Sequence, residues 1–162
     1  MIDDALLEVK NLLRTNMGEA CVEYYAGDIG IPAKSVLPCI IVRERSTKVE
    51  RVSTAKDQYR FGISILVITN LVDSLKTAGL SSSTRLSRQK LRKLIEEADT
   101  DGAPKTTTVL GALMQQANIR GSHYVYSLNP EVNYQLESPD GYILVAAEVT
   151  IDLVTDLVTR KA

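Results

Sequence analysis

Tryptophan is absent from this sequence, histidine and phenylalanine occur once each, and cysteine occurs twice. Each scarcity removes a class of function. His123 is the only histidine, so a Ser–His or Cys–His nucleophile pair would have to use it. Ser122 cannot be its partner if this stretch is a strand, because neighbouring side chains on a strand point to opposite faces. That leaves Cys21 or Cys39, and a third orienting group would still be needed; a surface or sheet-face histidine is the simpler reading. Neither cysteine sits in a C-x-x-C pair, and two thiols are too few for a disulfide framework. Cys39 lies within the apolar run Leu37-Pro38-Cys39-Ile40-Ile41-Val42, where a free thiol acts as a small hydrophobe. A reducing, cytoplasmic site of synthesis follows as the expectation. Aromatic residues make up 5%, almost all of them tyrosine, so a large aromatic-lined pocket is hard to build. No apolar stretch approaches the roughly 20 residues needed to span a bilayer. The first residues include Asp3 and Asp4 rather than a basic cluster, unlike a signal peptide. Neither G-x-G-x-x-G nor G-x-x-x-x-G-K-[ST] occurs, so no phosphate-cradling loop is evident. No cofactor is expected, and no membrane partner.

What is present fits one globular α/β domain spanning 1–162: 44% hydrophobic and 24% charged residues over 162 positions, a length able to bury a sizeable core. The formal net charge of −1 argues against a dedicated nucleic-acid binder, while leaving local basic patches open. Ile2, Ala5, Leu6, Val9, Leu12 and Leu13 fall on one face of a helix that begins at Asp3 and Asp4 and stops at Gly18. Gly27, Gly30, Pro32 and Pro38 mark an irregular connection. A buried strand follows at 39–43. The charged, partly alternating stretch at about 43–58 is expected to project as a hairpin arm or loop. From Tyr59 to Thr69 the odd positions are apolar or aromatic up to Val67. The even ones begin Arg60, Gly62, Ser64 and turn apolar at Leu66 and Ile68, so one end is half-buried and the other buried on both faces.

Ser81 to Thr84 offer N-caps for a second helix, with Ser87, Leu91, Leu94, Ile95 and Ala98 on one side. Arg85, Arg88, Gln89, Arg92 and Glu96 lie on the other. Asp101-Gly102-Ala103-Pro104 ends it. A shorter helix carries Val109, Leu110, Leu113, Met114 and Ala117. Three strands complete the chain: one with Tyr124, Tyr126 and Leu128, a turn at Asn129-Pro130, and another with Val132, Tyr134 and Leu136. A hairpin turn at Ser138-Pro139-Asp140-Gly141 leads to a long last strand from Ile143 to Leu153, and a tail covers about 156–162. The order predicts an α+β fold with a mostly antiparallel sheet, helices packed on one face, a long C-terminal strand and a projecting charged β-arm or loop.

Glu97-Ala98-Asp99-Thr100-Asp101-Gly102 matches the start of a calcium loop, but Pro104 and Thr108 stand where later ligands are needed. A solvated helix end is the better reading, and no metal site is expected. The candidate sites are therefore surfaces. Arg85, Arg88 and Arg92 form an i, i+3, i+7 stripe. Arg43, Arg45, Lys48, Arg51 and Lys56 outnumber Glu44 and Glu50 on the arm. Both sets are ordinary solvated faces or contacts for an acidic partner or passing DNA phosphates.

The N-terminal helix, the run Leu37–Val42, and the charged excursion returning through Lys56-Asp57-Gln58-Tyr59-Arg60-Phe61-Gly62-Ile63-Ser64-Ile65 together resemble the tail terminator (tail completion) proteins of long-tailed bacteriophages. The Arg-rich helix from Arg85 to Ile95 and the final Glu148-Val149-Thr150-Ile151-Asp152-Leu153 strand complete the resemblance. It implies a structural virion protein, not an enzyme, whose copies form a ring, commonly sixfold, at the head-proximal end of the tail. Implied partners are the chain itself, the tail tube protein and the head connector or stopper protein, with DNA only as transiting cargo. The arm would lie near the lumen or the tube, and the last strand and tail near a neighbouring subunit. Other readings are a different neck or tail component, such as a head-completion or tube protein, and a small-molecule-binding regulatory module. A hydrolase using Cys39 or Cys21 with His123 is a further one.

Overall fold

The computed structural model of the chain describes residues 2–30, 32–70, 88–114, 123–127, 132–137, 144–155 and 157–159. The acidic start and helical apolar spacing produce α1 (Ile2–Met17), which buries Ala5, Leu6, Val9, Leu13 and Met17. Ile2 and Leu12 pack against the same cluster while partly buried. Gly18, at φ 54°, ends the helix where a left-handed residue without a Cβ is favoured. In α2 (residues 88–96) Leu91 and Ile95 are buried, whereas Arg88, Gln89, Arg92 and Glu96 are exposed, as the spacing predicts, but the helix ends before Ala98, which is exposed and bridges to Pro104. Ser81 to Thr84, Arg85 and Ser87 lie outside the described residues. The third helix, α3 (Val109–Met114), buries Val109, Ala112 and Leu113. Thr108 caps it: its hydroxyl accepts the Gly111 N–H at 3.1 Å and donates to the Lys105 carbonyl at 2.7 Å, satisfying one of the orphan donors of a helix start. Met114 is exposed, and Ala117 lies outside the described residues.

Among the described residues seven strands form one sheet: β1 (Glu23–Ala26), β2 (Cys39–Arg51), β3 (Lys56–Asn70), β4 (His123–Ser127), β5 (Val132–Glu137), β6 (Leu144–Thr155) and β7 (Val158–Thr159). The spatial order is β1-β2-β3-β6, with β4 and β5 along the free side of β6 and β7 beside the start of β3. Only β1 and β2 run parallel, so the sheet is mostly antiparallel, as the sequence predicts. The fold is α+β with a long C-terminal strand.

Two features depart from the sequence reading. First, β1 was not foreseen; it is four residues long and takes its partner, β2, across the Gly- and Pro-rich connection. Second, the strands on either side of Asn129-Pro130 do not run in opposite directions. Strands β4 and β5 are both antiparallel to β6, so they run in the same direction. Ser127 faces Asp152 and Val132 faces Val149, so five steps on one chain oppose three on the other and the ladder slips. Asn129 and Pro130 themselves lie outside the described residues, but a proline has no N–H to give a ladder at such a point. The turn Ser138–Gly141 also lies outside them, while the pair Glu137–Leu144 shows β5 and β6 joined as the predicted hairpin.

Alternation sorts the strands onto two faces. On the helical face, Ile40 and Val42, then Phe61, Ile63, Ile65 and Val67, then Val145, Ala147, Val149, Ile151 and Leu153 meet the buried residues of the three helices in one cluster. On the opposite face Cys39, Ile41, Leu66, Ile68, Leu144 and Ala146 form a second, smaller cluster. It occupies only the end of the sheet next to β1. The even positions of β3 become polar beyond it, at Ser64, Gly62 and Arg60, which is the switch that the sequence displays.

A close approach fixes α3. A Cβ at Gly111 would collide with the Lys105 backbone carbonyl, which is held by Thr108 and cannot rotate away. Gly111→Ala is expected to lower unfolding free energy by about 1–3 kcal/mol, read from urea denaturation. Gly30→Ala, where nothing lies within 4 Å, should stay within about 0.5 kcal/mol of the parent. Equal stabilities for the two variants would refute this account of the packing.

Candidate functional site

The charged excursion is a β-hairpin that leaves the body of the sheet. Strand β2 is buried from Cys39 to Val42, half-buried at Arg43 and exposed from Glu44 to Arg51. Its partner β3 carries the ladder from Asp57 opposite Arg51 down to Ile68 opposite Cys39. The tip is closed locally: Val52 and Ser53 donate backbone N–H groups to the Lys56 carbonyl at 3.0 and 3.1 Å. The Ser53 hydroxyl accepts from the N–H groups of Ala55 and Lys56. Beside the arm, β7 pairs with Lys56 and Asp57. Where the β6 ladder slips towards β7, the Thr155 hydroxyl accepts the Tyr59 N–H at 3.2 Å, and the Gln58 amide donates to the Thr155 carbonyl at 2.9 Å. The start of the predicted C-terminal tail is thus pinned to the arm of its own chain; 160–162 lie outside the described residues.

A single bulge determines what the arm presents. Glu44 pairs with Ile63 but Ser46 pairs with Gly62, so Arg45 is the extra residue and the alternation of β2 inverts there. The Thr47 hydroxyl donates to the Glu44 carboxylate at 2.6 Å, bracing the bulge from one side. Beyond it Thr47, Val49 and Arg51 share the helical face with Phe61, Tyr59 and Asp57, while Lys48 and Glu50 share the opposite face with Arg60 and Gln58. Without the bulge these sets would be exchanged.

The two sides of the arm therefore differ. On the helical side, exposed Val49 stands opposite Tyr59, whose ring stacks on buried Phe61 at 6.2 Å, and exposed Val158 stands opposite Asp57. On the other side, Arg43, Lys48, Arg60 and Lys56 form a cationic row. Its carboxylates are Glu50, which lies 3.4 Å from Arg60, and Asp152 of β6, which pairs with Gly62 between Arg60 and Ser64. Lys48 is directly opposite Arg60 in the register, an arrangement of like charges that costs stability. Arg43, Lys48 and Lys56 have no carboxylate partner among the described residues. Towards the body the same face carries Ser64, which donates to Glu148 at 2.7 Å.

The eight sequence candidates do not form one patch. Arg43, Lys48 and Lys56 share the cationic row. Arg45 occupies the bulge, and Arg51 faces Asp57 on the helical side. Arg88 and Arg92 are on the exposed side of α2, in the helical layer across the sheet; Arg85 lies outside the described residues. Arg60 belongs to the row although sequence reasoning assigned it no role. Its even position in β3 was visible, but the bulge that aligns Lys48 with it was not.

The structure separates the groups that a hydrolase would need. Cys39 shares a row with Ile68 and Ala146, whereas His123 faces Thr155. Nine steps along β6 lie between them, about 30 Å. Cys21 lies beside the Cys39 end of the sheet, two residues before Glu23, the β1 partner of Cys39. A hollow of about 290 Å³ is lined by Arg14, Gly18, Glu19, Cys21, Val22, Glu23 and Tyr24. Burial pushes the Cys21 thiol up to about 11, against a hydrogen bond with Tyr24 and the charge of Lys90. Tyr24 is pushed up to about 12 by burial and by Cys21, and its hydroxyl donates to the Gly18 carbonyl at 2.8 Å. Neither group is an activated nucleophile. The acidic stretch after α2 is a tight turn in which Gly102 donates to the Asp99 carbonyl and Asp99 to that of Ala103. Among the described residues no helix is long and apolar enough to cross a membrane. No cluster of three metal-ligating side chains occurs among them either. The sequence matches no protein-family model and no curated protein.

The thiols set a pH dependence. Burial also raises Cys39, to about 12, from the ordinary value of 9.0. Between pH 9 and 11 the unfolded chain sheds thiol protons that the folded chain keeps, so stability falls as pH rises. Denaturant midpoints should decline over this window and decline less steeply in a Cys21→Ala, Cys39→Ala double variant. Identical slopes in the two proteins would exclude a thiol contribution.

Proposed function

We propose that this chain is a non-catalytic structural protein that assembles with its own copies into a ring, of the type formed by phage tail terminators. In this reading the ring sits in the neck region of a virion tail and caps the tail tube. It offers its other side to the head connector or stopper protein, and DNA crosses it only as cargo. The observation that carries the reading is the arm: a hairpin exposed over the whole length from Glu44 to Lys56, with chemically different sides, extending from the sheet that carries the buried clusters. Strand β3 of the arm is backed by β6 and β7, but β2 from Glu44 to Arg51 has no described strand on its outer edge, and such an edge gains by lying against another surface. The body adds unequal sheet edges, β1 on one side and β4 with β5 on the other. Unequal edges suit the head-to-tail contacts that close a ring.

Electron microscopy of particles from a phage carrying a deletion of this gene tests the role. Overlong or irregular tails, unattached to filled heads, are expected. Joined tails of normal length would exclude a terminator and direct attention to ligand-dependent stabilisation of the purified protein.

A further inference from the structure

Charge is distributed unevenly over the chain. Residues 43–60 hold six cations (Arg43, Arg45, Lys48, Arg51, Lys56 and Arg60) against three carboxylates (Glu44, Glu50 and Asp57), a surplus of three. The whole chain is at −1, so the remainder carries −4. The densest acidic part of that remainder is the turn that ends α2, where Glu96, Glu97, Asp99 and Asp101 fall within six exposed residues. Only Glu97 is ion-paired, to Lys105 at 3.1 Å. Glu96 and Asp99 have no cationic partner among the described residues. Their position adds to the effect, since the C-terminal end of a helix is its negative pole and favours cations.

The acidic turn and the cationic row cannot satisfy one another within a protomer. The turn belongs to the helical layer, through Leu91 and Ile95 of α2 in the helical-face cluster, and the row of Arg43, Lys48, Arg60 and Lys56 lies on the other face of the sheet. We propose that the cationic row of one copy docks on the acidic turn of the next copy, and that this contact sets the head-to-tail direction of the ring; the inference rests on the ring reading given above. Two different, complementary patches on one chain make a heterologous contact, the kind that closes into rings. Opposed charges also reject the wrong pairings, row on row and turn on turn. The carboxylates of the neighbour relieve the like-charge opposition of Lys48 and Arg60.

Charge reversal tests this with two double variants, Lys48→Glu with Lys56→Glu and Glu96→Lys with Asp99→Lys. None of the four side chains has an ion-pair partner among the described residues, and Lys48→Glu removes the like-charge opposition to Arg60, so neither variant should melt below the parent. Sedimentation and negative-stain microscopy of the full-length protein should show rings of the parent that weaken at least tenfold between 50 mM and 500 mM salt. Each variant alone should assemble at least tenfold more weakly, because like charges then meet at every contact. An equimolar mixture of the two should regain rings, since alternating copies restore opposite charges at every interface. A parent that is monomeric throughout would overturn the ring reading and this contact together. Parent rings that are matched by rings of both variants, or a mixture that fails where the parent succeeds, would overturn the contact alone. Unchanged rings accompanied by lost binding of duplex DNA in the Lys48→Glu, Lys56→Glu variant would also overturn it, assigning the row to nucleic acid instead.

Discussion

The hydrogen-bond ladder along β3 is the constraint on which the other elements depend. This fifteen-residue strand pairs with β2 over nearly its whole length, with β6 from Arg60 to Asn70, and with β7 at its start. Its odd residues Phe61, Ile63, Ile65 and Val67 form the floor on which α1, α2 and α3 rest. Its even residues change from apolar to polar midway and so decide where the second cluster ends. Truncating a fully buried floor residue such as Phe61 to Ala costs about 3–5 kcal/mol, a large share of a typical domain's stability. The arm is the part of this ladder that outruns the body.

Much of this organisation is legible from residues alone, and the reasons are local. The α1 face is read from six apolar positions at helical spacing and a glycine stop. The two-sided burial of β3 is read from the point at which Ser64 gives way to Leu66 and Ile68. The hairpin to β6 is read from Pro139 and Gly141. What escapes such reading depends on partners distant in sequence. Strand β1 is too short to declare itself and exists because β2 offers a parallel edge. The Asn129-Pro130 pair has turn chemistry, yet the strands on either side of it both run antiparallel to β6, a pairing that no local signal announces.

The candidate site shows the same limit more sharply. Counting charges from Arg43 to Lys56 identifies an exposed arm but not its sides. A bulge at Arg45 exchanges the two sides, and nothing in the composition of Glu44-Arg45-Ser46 demands one. Only the register brings Arg60 beside Lys48, sends Arg51 to Asp57, and leaves Arg88 and Arg92 on another surface. A row of charges in sequence is thus a poor guide to a patch in space when the strand carrying it has an irregularity.

The outer edge of β2 has one more consequence. Strand β1 covers this edge only from Cys39 to Val42, and beyond that no described strand adjoins it. A stretch of unpaired amides and carbonyls this long is a template on which any extended chain can stack. Its side chains, charged at five of the eight positions from Glu44 to Arg51, make such stacking unfavourable for most sequences. The charges along the arm therefore serve as a guard during synthesis, when the chain is crowded by partly folded strands of every kind.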